Sequence, residues 1–337
     1  MRPLWGNDKV KGKWMPELRN VSVIFDERFL DHDIWGGDHP EIPGRLNAIL
    51  NRLQNGPVSR HLKWAIPRKA DIGAILEIHT QNYLFWFEEE CLMGKEYLGH
   101  PDNRICNDSF DVALLAAGAG ISGVDLIEKE GDSTPVFCCV RPPGHHAEAS
   151  MAMGFCFLNN AAITARYWQK AHGRKKVLIL DWDAHHGNGI QSAFYDDPEV
   201  FYISLHEHPT FSFPGTGFAN EVGQGPGEGT TLNIPLAPGS QDIAVIQAME
   251  NEVAKAVDSF SPEAVIVASG FDGHVLDDMS GLSYSTKLYA RLGEIIARWA
   301  SEYCEGRVIS ILEGGYHLEA LSASVEAYIA GLAASSG

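Results

Sequence analysis

The feature that most constrains this chain is a recurring unit: a short apolar run, then glycine or polar residues, then a stretch with helical periodicity. The runs are S-V-I-F from Ser22, V-F-C-C-V from Val136, K-V-L-I-L from Lys176, V-F-Y-I-S-L from Val200, A-V-I-V-A-S from Ala264 and R-V-I-S-I-L from Arg307. A strand with one wet face alternates apolar and polar residues, whereas a strand covered on both faces is apolar throughout. Helical patterns fall between the runs, over 109–127, 159–171, 242–260, 284–300 and 317–333. Buried strands alternating with helices predict an α/β fold with one mostly parallel central sheet and helices on both faces. The first hundred residues are aromatic-rich and weakly periodic, and their elements are not readable.

No repeat, low-complexity tract or linker divides the 337 residues, so one domain over 1–337 is expected, with its core at about 20–334. The glycine-rich stretch at 223–230 lacks the G-K-[ST] ending of a phosphate loop and reads as a long connection. No run approaches the ~18 apolar residues of a membrane span, and M-R-P-L-W-G-N-D-K lacks a signal peptide's apolar segment. A cytoplasmic location with no membrane partner is the expectation. Six cysteines (Cys91, Cys106, Cys138, Cys139, Cys156, Cys304) form no C-x-x-C pair, which points to reduced thiols. The net charge of -18 opposes nucleic acid and anionic membranes as partners. It is compatible with cationic substrates, and equally with acidity that serves only solubility.

In parallel α/β sheets the binding crevice lies beyond the carboxyl ends of the strands, and the ionisable clusters fall there. R-P-P-G-H-H, with His145 and His146, follows V-F-C-C-V, and D-W-D-A-H-H-G-N-G at 181–189 follows K-V-L-I-L. G-F-D-G-H, with Asp272 and His274, follows A-V-I-V-A-S, and E-G-G-Y, with Tyr316, follows R-V-I-S-I-L. Asp183 and His185 are spaced i, i+2 and can face one side. With Asp272 they make one nitrogen and two oxygen donors, the open set of a catalytic zinc site; a metal-free hydrogen-bonded network is the alternative. His145 and His146 are candidates for general base and acid, with Asp181 and Asn188 placed to orient them. Tyr316 can hydrogen-bond a carbonyl oxygen that a metal polarises, although E-G-G-Y alone would read as an ordinary buried tyrosine.

Together R-P-P-G-H-H, G-F-C-F-L-N-N, D-W-D-A-H-H-G-N-G, Y-I-S-L-H, F-P-G-T-G, G-F-D and E-G-G-Y occur in one order. That order resembles the zinc-dependent histone deacetylase and acetylpolyamine amidohydrolase superfamily, from H-P-E-I-P-G-R at His39 to Tyr316. The resemblance implies an arginase-like α/β fold, a single catalytic Zn2+ and hydrolysis of an acylated amine, either an acyl-lysine peptide or an acetylpolyamine. It assigns Asp183, His185 and Asp272 as zinc ligands, His145 and His146 as the pair flanking the catalytic water, and Tyr316 as the carbonyl-polarising phenol. Asp181 becomes the partner of His145, and Asn188 that of His146, where members carry Asp or Asn. Asparagine carries no charge, so His146 should protonate less readily than beside a carboxylate. A structural K+ would use Asp181, Ser204 and the backbone carbonyls of Asp183, His185 and Leu205. Gly154, Phe155, Phe213 and Met279 fall on the substrate tunnel, although plain core packing also suits the two phenylalanines. Arg45 falls on an internal cavity, and His186 is a supporting histidine without metal contact.

Two rivals share the fold. A two-manganese ureohydrolase needs carboxylates two residues beyond His185 and two beyond Asp272, where this chain has Gly187 and His274. A catalytically silent binding protein should lack a ligand or the tyrosine, and none is lacking here. For substrate, polyamine-selective members place a carboxylate at the tunnel mouth; the matching position is Met279, which favours an apolar lip. Asp277 and Asp278 beside it could still attract cations. Asp102 is the counterpart of a rim aspartate that holds peptide backbone. By analogy with acetylpolyamine amidohydrolases, residues 88–107 would serve a homo-oligomer.

Overall fold

Eight strands form one sheet: β1 (Val21–Ile24), β2 (Leu62–Ala65), β3 (Val136–Cys138), β4 (Val177–Asp181), β5 (Val200–Glu207), β6 (Thr231–Leu236), β7 (Ala264–Ser269) and β8 (Val308–Leu312). The computed structural model describes residues 18–34, 39–130 and 134–334, so the M-R-P-L-W opening and the end of the 1–337 span lie outside the described residues. The strand order is β2-β1-β3-β8-β7-β4-β5-β6, and every pairing is parallel. The expected mostly parallel sheet is therefore parallel throughout, and all its carboxyl ends lie along one edge.

The helices are α1 (Gly44–Asn55), α2 (Ile72–Ile75), α3 (Gln81–Leu92), α4 (Ser109–Glu130), α5 (Asn160–His172), α6 (Asn188–Phe194), α7 (Asp242–Ala248), α8 (Ala254–Phe260), α9 (Thr286–Tyr303) and α10 (Leu318–Ala333). Strands β4, β7 and β8 are buried at every residue. Successive strand residues face opposite sides, so both faces of the sheet are covered. Helices α4 and α5 pack on each other and on β3, β4, β7 and β8, whereas α9 and α10 pack on each other and on β1, β7 and β8.

The six apolar runs all become strands. The two strands without such a run, β2 and β6, are the sheet edges, where partial exposure admits Lys63 and Pro235. The helical stretch at 242–260 is α7 and α8 joined by a π-helical turn at Met249–Val253. One expectation is overturned: Ser109–Lys129 is long and apolar enough to cross a membrane, yet most of it is buried inside the fold. Its glycines explain the composition. A Cβ on Gly120 would sit 1.8 Å from Thr164 Oγ1 on α5, and one on Gly118 1.9 Å from the Arg68 carbonyl. The aromatic-rich early segment packs beneath this helix, with Phe87 stacked on Phe157 at 5.1 Å and edge-on to Phe110 at 5.3 Å. That cluster anchors the loop before α4, which reaches the carboxyl edge of the sheet.

Candidate active site

The turn after β4 is folded by its own carboxylates. Asp183 N donates to Asp181 Oδ1 at 3.0 Å and His185 N to Asp183 Oδ1 at 3.0 Å, while Ala184 N donates to Asp272 Oδ1 at 2.9 Å. These bonds bring His185 Nδ1 to 3.1 Å from Asp183 Oδ1 and 3.0 Å from Asp272 Oδ2. The other ring nitrogen, Nε2, lies 3.1 Å from the Met279 carbonyl. A carbonyl only accepts, so Nε2 carries the proton and the Nδ1 lone pair faces two carboxylates. Three electron-rich atoms cannot sit together without positive charge between them, either a proton on Nδ1 or a metal cation. Burial, reinforced by the like charge of Asp183, raises Asp272 above the usual carboxylate range.

The surroundings fit a cation. Donor atoms from Asp183, His185 and Asp272 lie within 4.8 Å of one another in the interior, and one nitrogen with two oxygens suits zinc with room for water or substrate. Glycine makes the approach possible: a Cβ on Gly314 would stand 2.5 Å from Asp272 Oδ2 and 2.6 Å from Asp183 Oδ2. Instead Gly314 N donates to Asp183 Oδ2 at 2.8 Å.

Beside this centre the imidazoles of His145 and His146 lie 3.9 Å apart, centroid to centroid. His145 Nδ1 is 3.1 Å from Asp181 Oδ2, and His146 Nδ1 is 2.8 Å from Asn188 Oδ1. Burial opposes protonation of both, and their partners drive them apart. For His145 the carboxylates of Asp183 and Asp181 outweigh burial and raise it to about 10. His146 is held well below the usual histidine value by burial and by its neighbour His145, as an uncharged Asn188 predicts. Sequence reasoning missed Glu313, whose Oε2 accepts Gly144 N at 2.7 Å and His145 N at 3.1 Å and so holds the turn that presents both rings.

Tyr316 faces the same cavity, of about 210 Å³, whose lining includes His145, His146, Asp183, His185, Gly154, Phe155, Phe213 and Met279. Burial pushes its hydroxyl well above the ordinary phenol range despite nearby Arg45, so it remains a donor. Arg45 is fully buried, lies 4.9 Å from the centroid of the Tyr316 ring, and donates to the carbonyls of Gly315 and Glu313. Gly154 has φ +53°, and a Cβ there would meet His146 Cδ2 at 2.4 Å. Phe155 continues the turn at φ 68°, a strained value for a side-chain-bearing residue. Its ring is edge-on to His39 at 4.8 Å and to Tyr316 at 5.9 Å, while Phe213 is edge-on to His146 at 5.0 Å. Asp102 lines the cavity, and its carbonyl is 3.1 Å from His39 Nε2.

Other expected residues lie behind the cavity. Asp181 and Ser204 are register partners on β4 and β5, with Leu205 one residue on; the Ser204 hydroxyl is 2.7 Å from His206 Nδ1. His186 is turned away, Nδ1 to Thr216 and Nε2 to Gln191. Of the two aspartates expected to attract cations, Asp278 is exposed, whereas Asp277 is engaged by backbone donors. Its buried carboxylate accepts Tyr316 N at 2.6 Å and His317 N at 2.9 Å on one oxygen, and Met279 N at 3.2 Å on the other. The two-metal rival also fails on geometry. A Cβ on Gly187 would already lie 2.4 Å from Asp181 Oδ2, and both nitrogens of His274 are engaged, with Thr286 and with Leu276 N.

Residues 39–332 match the family model described as the histone deacetylase domain. The chain is 39% identical over 302 residues to Histone deacetylase 14, chloroplastic, of Arabidopsis thaliana, covering 85% of this chain and 71% of that protein. It is 36% identical over 302 residues to a probable deacetylase of Archaeoglobus fulgidus, covering 89% and 82%. The crystal structure of the HDA15 HD domain superimposes with a TM-score of 0.86 at 35% identity, covering 93% of this chain and 91% of that one.

Proposed function

The chain belongs to the histone deacetylase family and is a deacetylase of it; from that premise we propose that it is a zinc-dependent hydrolase of acyl-lysine side chains. The observation that carries the reading is the convergence of Asp183, His185 and Asp272 around an Nδ1 lone pair, with Asp183 and His185 lining a cavity that Phe155 and Phe213 also line. Asp183, His185 and Asp272 would hold Zn2+, which supplies Lewis acidity toward an acyl carbonyl and toward water. Asp181 and Ser204, with the carbonyls of Asp183, His185 and Leu205, would hold K+.

The chain's own groups divide the remaining work. Neutral His146 accepts the proton of the attacking water and returns it to the departing amine. His145, hydrogen-bonded at Nδ1 to Asp181, is placed to offset charge as the tetrahedral centre forms. Tyr316 donates its hydroxyl hydrogen to the developing oxyanion. Phe155 and Phe213 flank the methylenes of the substrate and exclude bulk water. Met279 stands at the lip where a carboxylate would meet a second ammonium, and Asp277 beside it is engaged by backbone N–H groups, which favours acyl-lysine over acylpolyamine; Asp102 on the lining is left to meet peptide backbone. The test compares acetyl-lysine peptides, longer acyl-lysines and acetylpolyamines on zinc-loaded protein. An acyl-lysine kcat/KM at least about tenfold above that of acetylpolyamines is expected, about 1.4 kcal/mol of discrimination; equal or reversed values refute the substrate assignment.

A further inference from the structure

The hydrogen-bond chain behind His146 does not end at Asn188. Asn188 Nδ2 donates to Glu148 Oε1 at 2.8 Å and, at a longer 3.4 Å, to the His146 carbonyl, on the opposite end of the amide from the 2.8 Å contact between Asn188 Oδ1 and His146 Nδ1. A carboxylate oxygen accepts and does not donate, so the Asn188 amide must turn its nitrogen toward Glu148 and its oxygen toward His146. The oxygen in turn accepts only if His146 Nδ1 carries the hydrogen, which leaves the lone pair on Nε2. No protein partner occupies that nitrogen among the described residues, and His146 lines the catalytic cavity. Glu148 is itself held by a tight turn, its N–H donating to Met151 O at 3.0 Å. It and Asn188 line a separate cleft of about 280 Å³ that His146 does not reach.

We propose that Glu148 is a positioning residue that locks the Asn188 amide and thereby selects the His146 tautomer able to take a proton from water. The inference rests on the role given to His146 above. An asparagine needs such a lock because its amide can rotate by 180°; an aspartate at the same place, with two equivalent oxygens, does not. Reversal of the Asn188 amide would set its oxygen against the Glu148 carboxylate, and its NH2 against Nδ1 would move the imidazole hydrogen to Nε2, the wrong nitrogen for a base.

The test is a double-mutant cycle on zinc-loaded enzyme, read together with 15N NMR of histidine-labelled protein. Glu148→Ala should lower kcat about tenfold or more with KM, bound zinc and melting temperature little changed. Glu148→Gln, whose amide oxygen can still accept from Asn188, should recover kcat to within about threefold of the parent. In the Asn188→Asp background, Glu148→Ala should cause no further loss, and a gain is consistent because it removes a like charge. The NMR should show His146 protonated at Nδ1 in the parent and a mixture of tautomers in Glu148→Ala. The lock is refuted if Glu148→Ala keeps full kcat, if it costs the same in both backgrounds, or if the parent carries its proton on Nε2. A parent that hydrolyses no acyl amine would refute the proposed function, while the NMR would still decide the lock.

Discussion

Asp277 offers a test of how Tyr316, the proposed oxyanion donor, is held. Its Oδ2 accepts the backbone N–H groups of Tyr316 and His317 at 2.6 and 2.9 Å, and its Oδ1 accepts Met279 N at 3.2 Å. A hydrogen bond to a charged acceptor contributes about 1.5–3 kcal/mol net, and an N–H left without a partner costs a similar amount. Two strong bonds and one longer bond would sum to roughly 4–7 kcal/mol, but water entering beside exposed Asp278 should offset about half of this, leaving ~2–4 kcal/mol. If about half of that falls on the transition state through a loosened Tyr316, kcat for Asp277→Ala drops about 5- to 30-fold. Asp277→Asn should be intermediate, since one oxygen survives while the amide NH2 meets the Met279 N–H. The assay is steady-state deacetylation of an acetyl-lysine peptide, with zinc content measured by elemental analysis and Asp278→Asn as the exposed control. Unchanged kcat in Asp277→Ala would refute the clamp. A rise in KM confined to cationic substrates would restore Asp277 as an electrostatic attractor.

Tyr316→Phe should keep its zinc and lose about 10²- to 10³-fold in kcat, the usual loss of an oxyanion donor; undiminished turnover on an acyl-lysine substrate removes that role. Chelation should abolish turnover, with recovery on adding Zn2+, and should lower the melting temperature because the cation binds only the folded arrangement; an unchanged melt would show that the site bears no folding energy. Glu128 is held down to about 2, first by hydrogen bonds from Arg174 and then, against the opposing effect of burial, by the Trp168 indole. Its ionised form therefore stabilises the fold above pH ~4.5, and that contribution fades as pH falls toward ~2. Urea unfolding should show Glu128→Gln less stable than the parent by ~1–2 kcal/mol at pH 7, after allowance for solvent screening, with the gap narrowing by pH 3; a gap that widens on acidification contradicts the sign.

What the sequence made legible follows from which forces leave a local pattern. Interior strands are apolar on both faces and announce themselves, whereas β2 and β6, with one side open, carry Lys63 and Pro235 and do not. The candidate metal site at Asp183, His185 and Asp272 was readable because metal chemistry limits the residue types and because parallel strands deliver their ends to one rim; the roles proposed for His145, His146 and Tyr316 came mainly from the family resemblance. Glu313, Asp277 and Glu148 were missed or misread for a common reason. Each works by accepting hydrogen bonds from another loop, Glu313 from a turn 168 residues away and Asp277 from one 39 away. Neighbouring residues say nothing about such pairings: in D-D-M the first aspartate is buried and the second exposed, although both look like surface charges.

These carboxylates also explain why the site is so acidic. Loops beyond the edge of a parallel sheet have no ladder to join them, and their backbone donors still need partners. Here Asp181, Asp183, Asp272, Asp277 and Glu313 supply them, joining the turns after β3, β4, β7 and β8 by N–H to carboxylate bonds. The device gives short, directional links in a region where no side chain could pack as closely, and glycines at 187, 270 and 314 clear the space. It also concentrates negative charge in the interior, where unpaired ions are costly. Arg45 is paired with the buried Glu41, so a metal at Asp183, His185 and Asp272 would be the main offset to that charge. On the proposed reading the bound cation would also tie the loop network together, so that Asp272→Ala should loosen the turn at Ala184 as well as lower the zinc content found by elemental analysis.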